Sequence, residues 1–417
     1  MSKLVITGRK PLRGEVTIGG SKNSSVAIVP AALLGAGTSE IENLPRIDDV
    51  RVFAQILKDL GVSVESNGTT MTISPNGFQS HVAPYDLVRK LRASYYLMGV
   101  LLAKFGKAEV GLPGGCDIGP RPIDQHLKGF RALGAEVLVE GGVVKLNAPH
   151  GLKGAPIYLD IPSVGATINI MLAATHADGT TVIENAAKEP HVVDLANYLN
   201  AMGARVQGAG TDVVRIRGGR KMTGAFHSVI PDDMESSTYM MAAVATGGDI
   251  LVRNVITKHL EPVTAKLREA GAQIEENGDY VRVIGPSRPK PLNVKTLPYP
   301  GFPTDAQQPL VAVLSLADGV SVVQESVYEN RLGFVGELVK MGARIKVEGK
   351  TAIVEGVERL VGAPVKANDL RAGASLVLAG LSAHGKTEVY GLEIVRRGYE
   401  IIDEKLAALG ADVRVEE

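Results

Sequence analysis

The sequence predicts an α/β protein of two domains, each built from three strand–helix–strand–helix–hairpin units around buried helices. Three observations carry this. Six segments look alike, running from Leu60-Gly-Val, Leu133-Gly-Ala, Met202-Gly-Ala, Ala270-Gly-Ala, Met341-Gly-Ala and Leu409-Gly-Ala. Between them lie six short helices of small or apolar residues. Finally, the last copy stops one strand short at Glu417, while Lys3-Leu-Val-Ile-Thr resembles the missing strand. Repetition at a fixed interval decides a fold before any single element does.

Each Gly-Ala segment reads as a helix closed by a C-cap glycine and followed by an alternating strand. Several run through Asn-Gly or Glu-Gly into a second strand, as in 62–73 and 272–284, which predicts hairpins. The intervening helices begin near Lys22, Arg92, Ser163, Glu235, Asp305 and Arg371. They carry little charge beyond the first turn, so they are expected to be buried. The N-terminus is expected to close the sixth unit. That assigns residues 21–230 to one domain and 1–20 with 231–417 to the other. The chain then crosses twice, near 20 and 230, which suggests a two-stranded hinge and a cleft that opens and closes.

Composition narrows the function. Lysine plus arginine equals aspartate plus glutamate, at 45 each. No overall charge draws the chain to nucleic acid or to a membrane surface. The start has no apolar signal core, and the longest apolar runs are too short to span a bilayer. A single cysteine makes no internal disulfide and fits a reducing cytoplasm. Scattered histidines give no metal set, and neither a Walker A sequence nor a dinucleotide fingerprint occurs. No cofactor is expected. Nothing in the sequence sets the oligomeric state.

The chemistry is expected where the repeats differ. Lys22, Arg92 and Arg371 are cations at helix starts, which the helix dipole disfavours. Singly, each reads equally well as a solvated charge. Together, on buried helices, they suggest an anion-binding cleft. Asp305 is either an N-cap or a general base facing that cleft. The second unit carries an insertion, Gly114-Gly-Cys116-Asp-Ile, followed by Arg121, Asp124 and His126. A lone cysteine is usually inert and buried. On an inserted glycine-rich loop beside an arginine, a partly ionised thiol that moves a proton is the better reading. His126 is expected at the start of the next helix, as a ligand or a cap.

Seven short motifs in order carry a resemblance over essentially the whole chain. They are Gly19-Gly-Ser-Lys22-Asn23-Ser, Leu112-Pro-Gly-Gly-Cys116-Asp-Ile-Gly-Pro-Arg121-Pro-Ile-Asp124, Ser163-Val-Gly-Ala-Thr, Phe302-Pro-Thr-Asp305, Glu329-Asn-Arg331, Asp369-Leu-Arg371-Ala and Arg397-Gly-Tyr-Glu. On these the chain resembles the UDP-N-acetylglucosamine 1-carboxyvinyltransferases, the enolpyruvyl transferases that open peptidoglycan synthesis. The resemblance implies an EPSP synthase-like fold, a two-domain inverted α/β prism with three βαβαββ repeats per domain. It implies two small-molecule substrates, phosphoenolpyruvate and UDP-N-acetylglucosamine, and an addition–elimination route through a tetrahedral ketal.

By position, the resemblance makes Cys116 the proton donor to the phosphoenolpyruvate methylene, able also to form an adduct with it. Asp305 becomes the base near the sugar 3′-hydroxyl. Lys22, Arg121 and Arg397 would hold the phosphate, with Arg331 and Arg371 near the carboxylate. Asn23 would touch both substrates, and Val327 the amino sugar. Arg92, the run Arg121-Pro122-Ile123-Asp124-Gln125, and Ser163-Val164-Gly165 would line the UDP side. Some relatives carry lysine where this chain has Ile161 and Asp48, so contacts to the nucleotide are expected to differ there. Two alternatives remain at this level. One is the shikimate-3-phosphate enolpyruvyl transferase, which shares the fold but lacks this cysteine loop. The other is an inactive paralogue that binds UDP-sugars.

Overall fold

The computed structural model describes residues 2–112 and 122–417. It is α/β, with small sheets arranged around buried helices, and its described residues divide into two compact units. One comprises 20–112 and 122–230, the other 2–19 and 231–417. Each has a separate hydrophobic core.

The six repeat glycines explain why each unit turns where it does. Gly61, Gly134, Gly203, Gly271, Gly342 and Gly410 all have φ between +85° and +101°. A side chain there would strain the backbone, and glycine avoids that. Each ends a helix and releases the chain into a strand.

Three buried helices fill the first unit: Lys22–Ala31, Tyr96–Phe105 and Val164–Ala174. In the second unit they are Asp233–Thr246, Thr304–Leu314 and Leu370–Ser382. Their small and apolar side chains let them pack against one another without a polar face. Arg92 lies in a 3-10 turn, Arg92–Tyr95, that leads into the second helix.

Among the described residues each unit has three sheets. Five of the six have four strands, and in those five an outer strand runs parallel to its neighbour while the others are antiparallel. Two outer strands come from far along the chain. Phe226–Ser228 joins Ser39–Glu42, and Arg13–Thr17 joins Asp249–Arg253. Lys3–Thr7 lies between Lys386–Tyr390 and Asp412–Glu416, antiparallel to both. The hairpins over 63–74 and 273–284 pair in register. No described helix is long and apolar enough to cross a membrane.

Candidate active site

In the second unit, Asp305 occupies the first turn of the helix Thr304–Leu314. Its side chain does not cap that helix, whose N-cap is Pro303. The carboxylate instead accepts from two guanidiniums: Arg331 Nη2 at 2.7 Å and Arg371 Nε at 3.2 Å. Both arginines are buried, while Asp305 is 30% exposed. The structure thus brings three sequence-predicted residues into one cluster.

The surroundings fix those cations. Asp369 caps the helix Leu370–Ser382, accepting from the backbone N–H groups of Arg371 and Ala372. Its other oxygen accepts from Gln308, which also donates to the Arg331 carbonyl. Arg371 stacks over the Tyr399 ring at 5.2 Å, and Arg331 over Tyr328 at 5.3 Å. Burial works against the charge on Arg331, but Asp305 and Asp369 outweigh it and its pKa rises. Arg371 also rises: burial again opposes, and Tyr399, Asp305 and Asp232 prevail. Arg331 Nε and Arg371 Nη1 are buried with no hydrogen-bond partner among the described residues. Two unspent donors beside fixed positive charge suit an anion.

Glu325 organises the adjoining loop. This buried carboxylate accepts from Thr296, Thr304 and the backbone N–H groups of Val327 and Tyr328. It therefore ties the Val327 loop to the start of the Asp305 helix. Arg397 is half-buried and lies two residues before Tyr399. Asp233, at the start of the helix Asp233–Thr246, is pushed up by burial and by Asp232, against the pull of Arg371.

In the first unit, Lys22 opens the first buried helix, and its Nζ lies 3.0 Å from the buried carboxylate of Asp49. The N-cap is Ser21, whose hydroxyl accepts from the Ser24 N–H. Asn23 follows Lys22 in the same turn and is half-buried. Asp124 begins the helix Asp124–Ala132 and is exposed, whereas Gln125 is buried. Gln125 donates to both Asp124 and Asp160, and its oxygen accepts from the Asp160 N–H. Pro122 and Ile123 precede that helix. Ser163 caps the helix Val164–Ala174. A side chain at Gly165 would lie 2.9 Å from the His126 ring and 3.0 Å from the Tyr95 hydroxyl, so only glycine fits. Ile161 is exposed, and Asp48 pairs with Arg51 on the helix Asp48–Asp59. Cys116 and Arg121 lie outside the described residues.

His126 does not cap its helix, whose N-cap is Ile123. It is the third residue of its helix and is buried against Tyr95, with ring centroids 5.0 Å apart. The Asn169 amide donates to its Nδ1 at 2.9 Å and also to the Tyr95 carbonyl. The Asn169 oxygen accepts from the Gly99 N–H. Asn169 thus joins the second and third buried helices and the His126 helix. An acceptor Nδ1 leaves the proton on Nε2. Burial pushes His126 down to about 3, despite Asp124, with Arg92 adding to the shift. Burial and Lys104 bring His176 down to about 4.

Both imidazoles are therefore neutral in the folded chain where the unfolded chain binds protons. Stability is full above about 6.5 and declines as pH falls towards these values. Proton NMR of the folded protein is expected to show two imidazoles that do not titrate between pH 7.5 and about 5. Ordinary midpoints for all eight histidines would contradict this burial.

Asp49, Glu325, Asp369, Asn169 and Tyr399 escaped sequence reasoning as supports of the site. Asp369 and Tyr399 stand inside motifs quoted for their arginines. Asp49 reads from sequence as an ordinary acid at a helix start, and nothing local marks Glu325 or Asn169.

Residues 6–406 match the family model described as EPSP synthase (3-phosphoshikimate 1-carboxyvinyltransferase). The chain belongs to this family. Within it, the chain is 54% identical to UDP-N-acetylglucosamine 1-carboxyvinyltransferase 3 of Symbiobacterium thermophilum, covering 100% of this chain and 98% of that relative. It is 55% identical to UDP-N-acetylglucosamine 1-carboxyvinyltransferase 3 of Caldanaerobacter subterraneus subsp. tengcongensis, over 99% of both. Among solved structures it is similar to the enolpyruvyl transferase NikO from Streptomyces tendae. The TM-score is 0.90 at 27% identity, covering 100% of this chain and 99% of that one. EPSP synthase from Acinetobacter baumannii shares the fold, with a TM-score of 0.78 at 22% identity and full coverage of both chains. These neighbours are enolpyruvyl transferases and EPSP synthases, in keeping with the EPSP synthase-like fold that the resemblance implied.

Proposed function

We propose that this chain moves the carboxyvinyl group of phosphoenolpyruvate to the 3′-hydroxyl of UDP-N-acetylglucosamine, releasing phosphate, as the first committed step of peptidoglycan synthesis. The observation that carries this reading is full-length identity of 54% to a relative of that name. The anion-ready cluster of Asp305, Arg331 and Arg371 supports it.

The step balances as follows. The Cys116 thiol gives a proton to the methylene carbon, and the sugar 3′-oxygen attacks the adjacent carbon. Asp305 takes the hydroxyl proton. The tetrahedral ketal then loses phosphate, which carries away the proton held by Asp305, and the new methyl group returns a proton to the Cys116 thiolate as the double bond is restored. Lys22, Arg121 and Arg397 bind the phosphate, while Arg331 and Arg371 receive the carboxylate. Asn23 and Val327 contact the amino sugar. Arg92, residues 121–125 and Ser163-Val164-Gly165 face the UDP group. Fixed cations of this kind stabilise charge that develops on the substrate without reorganising.

The paired arginines add a consequence. A carboxylate held by two guanidiniums is a weak proton acceptor. An incoming substrate carboxylate competes for the same donors, so its arrival frees Asp305 to act as a base. Phosphoenolpyruvate binding would then prepare the acid–base machinery for the sugar.

Phosphate release with phosphoenolpyruvate and each acceptor tests the reaction. Release with UDP-N-acetylglucosamine, and a product heavier by one carboxyvinyl group in mass spectrometry, is expected. Release only with shikimate 3-phosphate would assign the other enolpyruvyl transfer, and release with neither acceptor would point to a binding protein. Cys116→Ser is expected to lower turnover by about two orders of magnitude or more while leaving the circular dichroism spectrum unchanged. Parent-like turnover in that variant would remove the thiol from the mechanism.

A further inference from the structure

The outer faces of the six sheets are not electrostatically alike. In the second unit every sheet neutralises itself with ion pairs between strands. Arg282 meets Asp249 at 2.8 Å, Arg253 meets Glu15 at 2.8 Å, Arg344 meets Glu355 at 2.9 Å, and Lys3 meets Glu388 at 3.1 Å. Two sheets of the first unit depart from this.

The sheet of Arg205–Gln207, Val213–Arg217, Thr180–Glu184 and Pro156–Tyr158 is basic on its outer face. Arg205 stands directly opposite Arg217, and Arg215 lies two residues along the same strand. All three are exposed, and none makes an ion pair among the described residues. Glu184 is the one acid on that face. Like charges directly opposite across a ladder destabilise a sheet, so the fold gives no local reason for this arrangement.

A second sheet of the same unit has the opposite character. It comprises Phe226–Ser228, Ser39–Glu42, Thr70–Ser74 and Ser63–Asn67. Glu40 and Glu65 flank Thr72 on its outer face, with Glu42 two residues along. No lysine or arginine occurs in these four strands. The basic face ends in exposed Tyr158 and the acidic face in exposed Phe226, each more than half exposed.

We propose that these faces are the two halves of one self-association surface: the arginine sheet of one copy docks on the glutamate sheet of another. The partner is a second copy because this chain supplies the complementary charge, with a large exposed aromatic on each side to bury. The contact is heterologous, since the two faces differ. Each added copy leaves one basic and one acidic face open, so growth continues unless a ring closes. Four strands of three to five residues present roughly 260–280 Å² per copy, from standard strand spacing. That is below what a stable dimer requires. Association is therefore weak and steered by charge, and salt weakens it over a Debye length of about 10 Å at 0.1 M.

Sedimentation velocity on the full chain tests this. At low ionic strength the weight-average mass is expected to rise with protein concentration and to return to that of the 43.9 kDa chain in high salt. The double variant Arg215→Glu, Arg217→Glu should abolish the rise, as should Glu40→Lys, Glu65→Lys. The two variants mixed should associate again, because one then carries two acidic faces and the other two basic ones. Circular dichroism and phosphate release should match the parent in each. Should a reversal perturb the fold, Arg215→Gln with Arg217→Gln is expected to weaken association by about tenfold. A parent that stays monomeric at low salt overturns the proposal. So does association that survives in either charge-reversed variant, or a mixture that does not associate.

Discussion

Asp305→Asn is expected to lower turnover by about three orders of magnitude, the scale set by removing a positioned general base. The asparagine keeps one acceptor oxygen but replaces the other with an amide donor. That donor then faces the guanidinium of Arg331 or Arg371, both of which only donate. The variant loses basicity, and the arginines lose part of their partner. The fold should hold, because Asp305 sits in a half-buried first turn, 30% exposed, and does not cap its helix. Nucleotide-sugar affinity, measured by titration, should change by only a few-fold. Single-turnover phosphate release within tenfold of the parent would rule Asp305 out as the base. Lost sugar binding with intact chemistry would make it a recognition residue.

Arg371→Ala is expected to act on both stability and phosphoenolpyruvate binding. Arg371 is 2% exposed, pairs with Asp305, and lies over the Tyr399 ring. Truncation leaves a cavity against Tyr399 and removes one cation from Asp305. Breaking a buried pair on one side costs about 3–5 kcal/mol. Asp305 still reaches solvent and keeps Arg331, so the lower end, about 3 kcal/mol, is expected. Calorimetry should show the transition moving down in temperature, and titration should show phosphoenolpyruvate affinity falling more than that of the sugar nucleotide. Arg371→Lys should recover part of the stability. It restores a charge but neither the Nε bond nor the planar stack. An unchanged transition in Arg371→Ala would mean that the buried cation contributes nothing net to the fold.

The repeat was legible because its marks are local. A helix must end somewhere, and a glycine with positive φ ends it at least cost, so Gly61 and its five counterparts stand out in any reading. The buried helices were legible from what they lack, since a charge-free surface has to be covered. Asp305 and Arg371 were legible as candidates because a charge on such a helix breaks its own pattern, whereas Arg331, in a turn, was named only by the family resemblance.

Pairing was not legible. Sequence shows that Lys22 and Asp305 are unusual, but not that Asp49 and two guanidiniums neutralise them, since these partners come from 26 to 66 residues away. His126 was expected at the start of its helix as a ligand or a cap. Tertiary packing made it a buried neutral ring held by Asn169 from another helix.

Sequence alone determined the unit, its number and the residues at which each copy departs from the rest, because turn conformation and apolar patterning act within a few residues. Tertiary structure decided which strand completes which sheet, as with Arg13–Thr17 beside Asp249–Arg253, and which acid meets which cation. Hydrogen-bond ladders and ion pairs depend on distance through space, and a linear pattern carries no record of that distance.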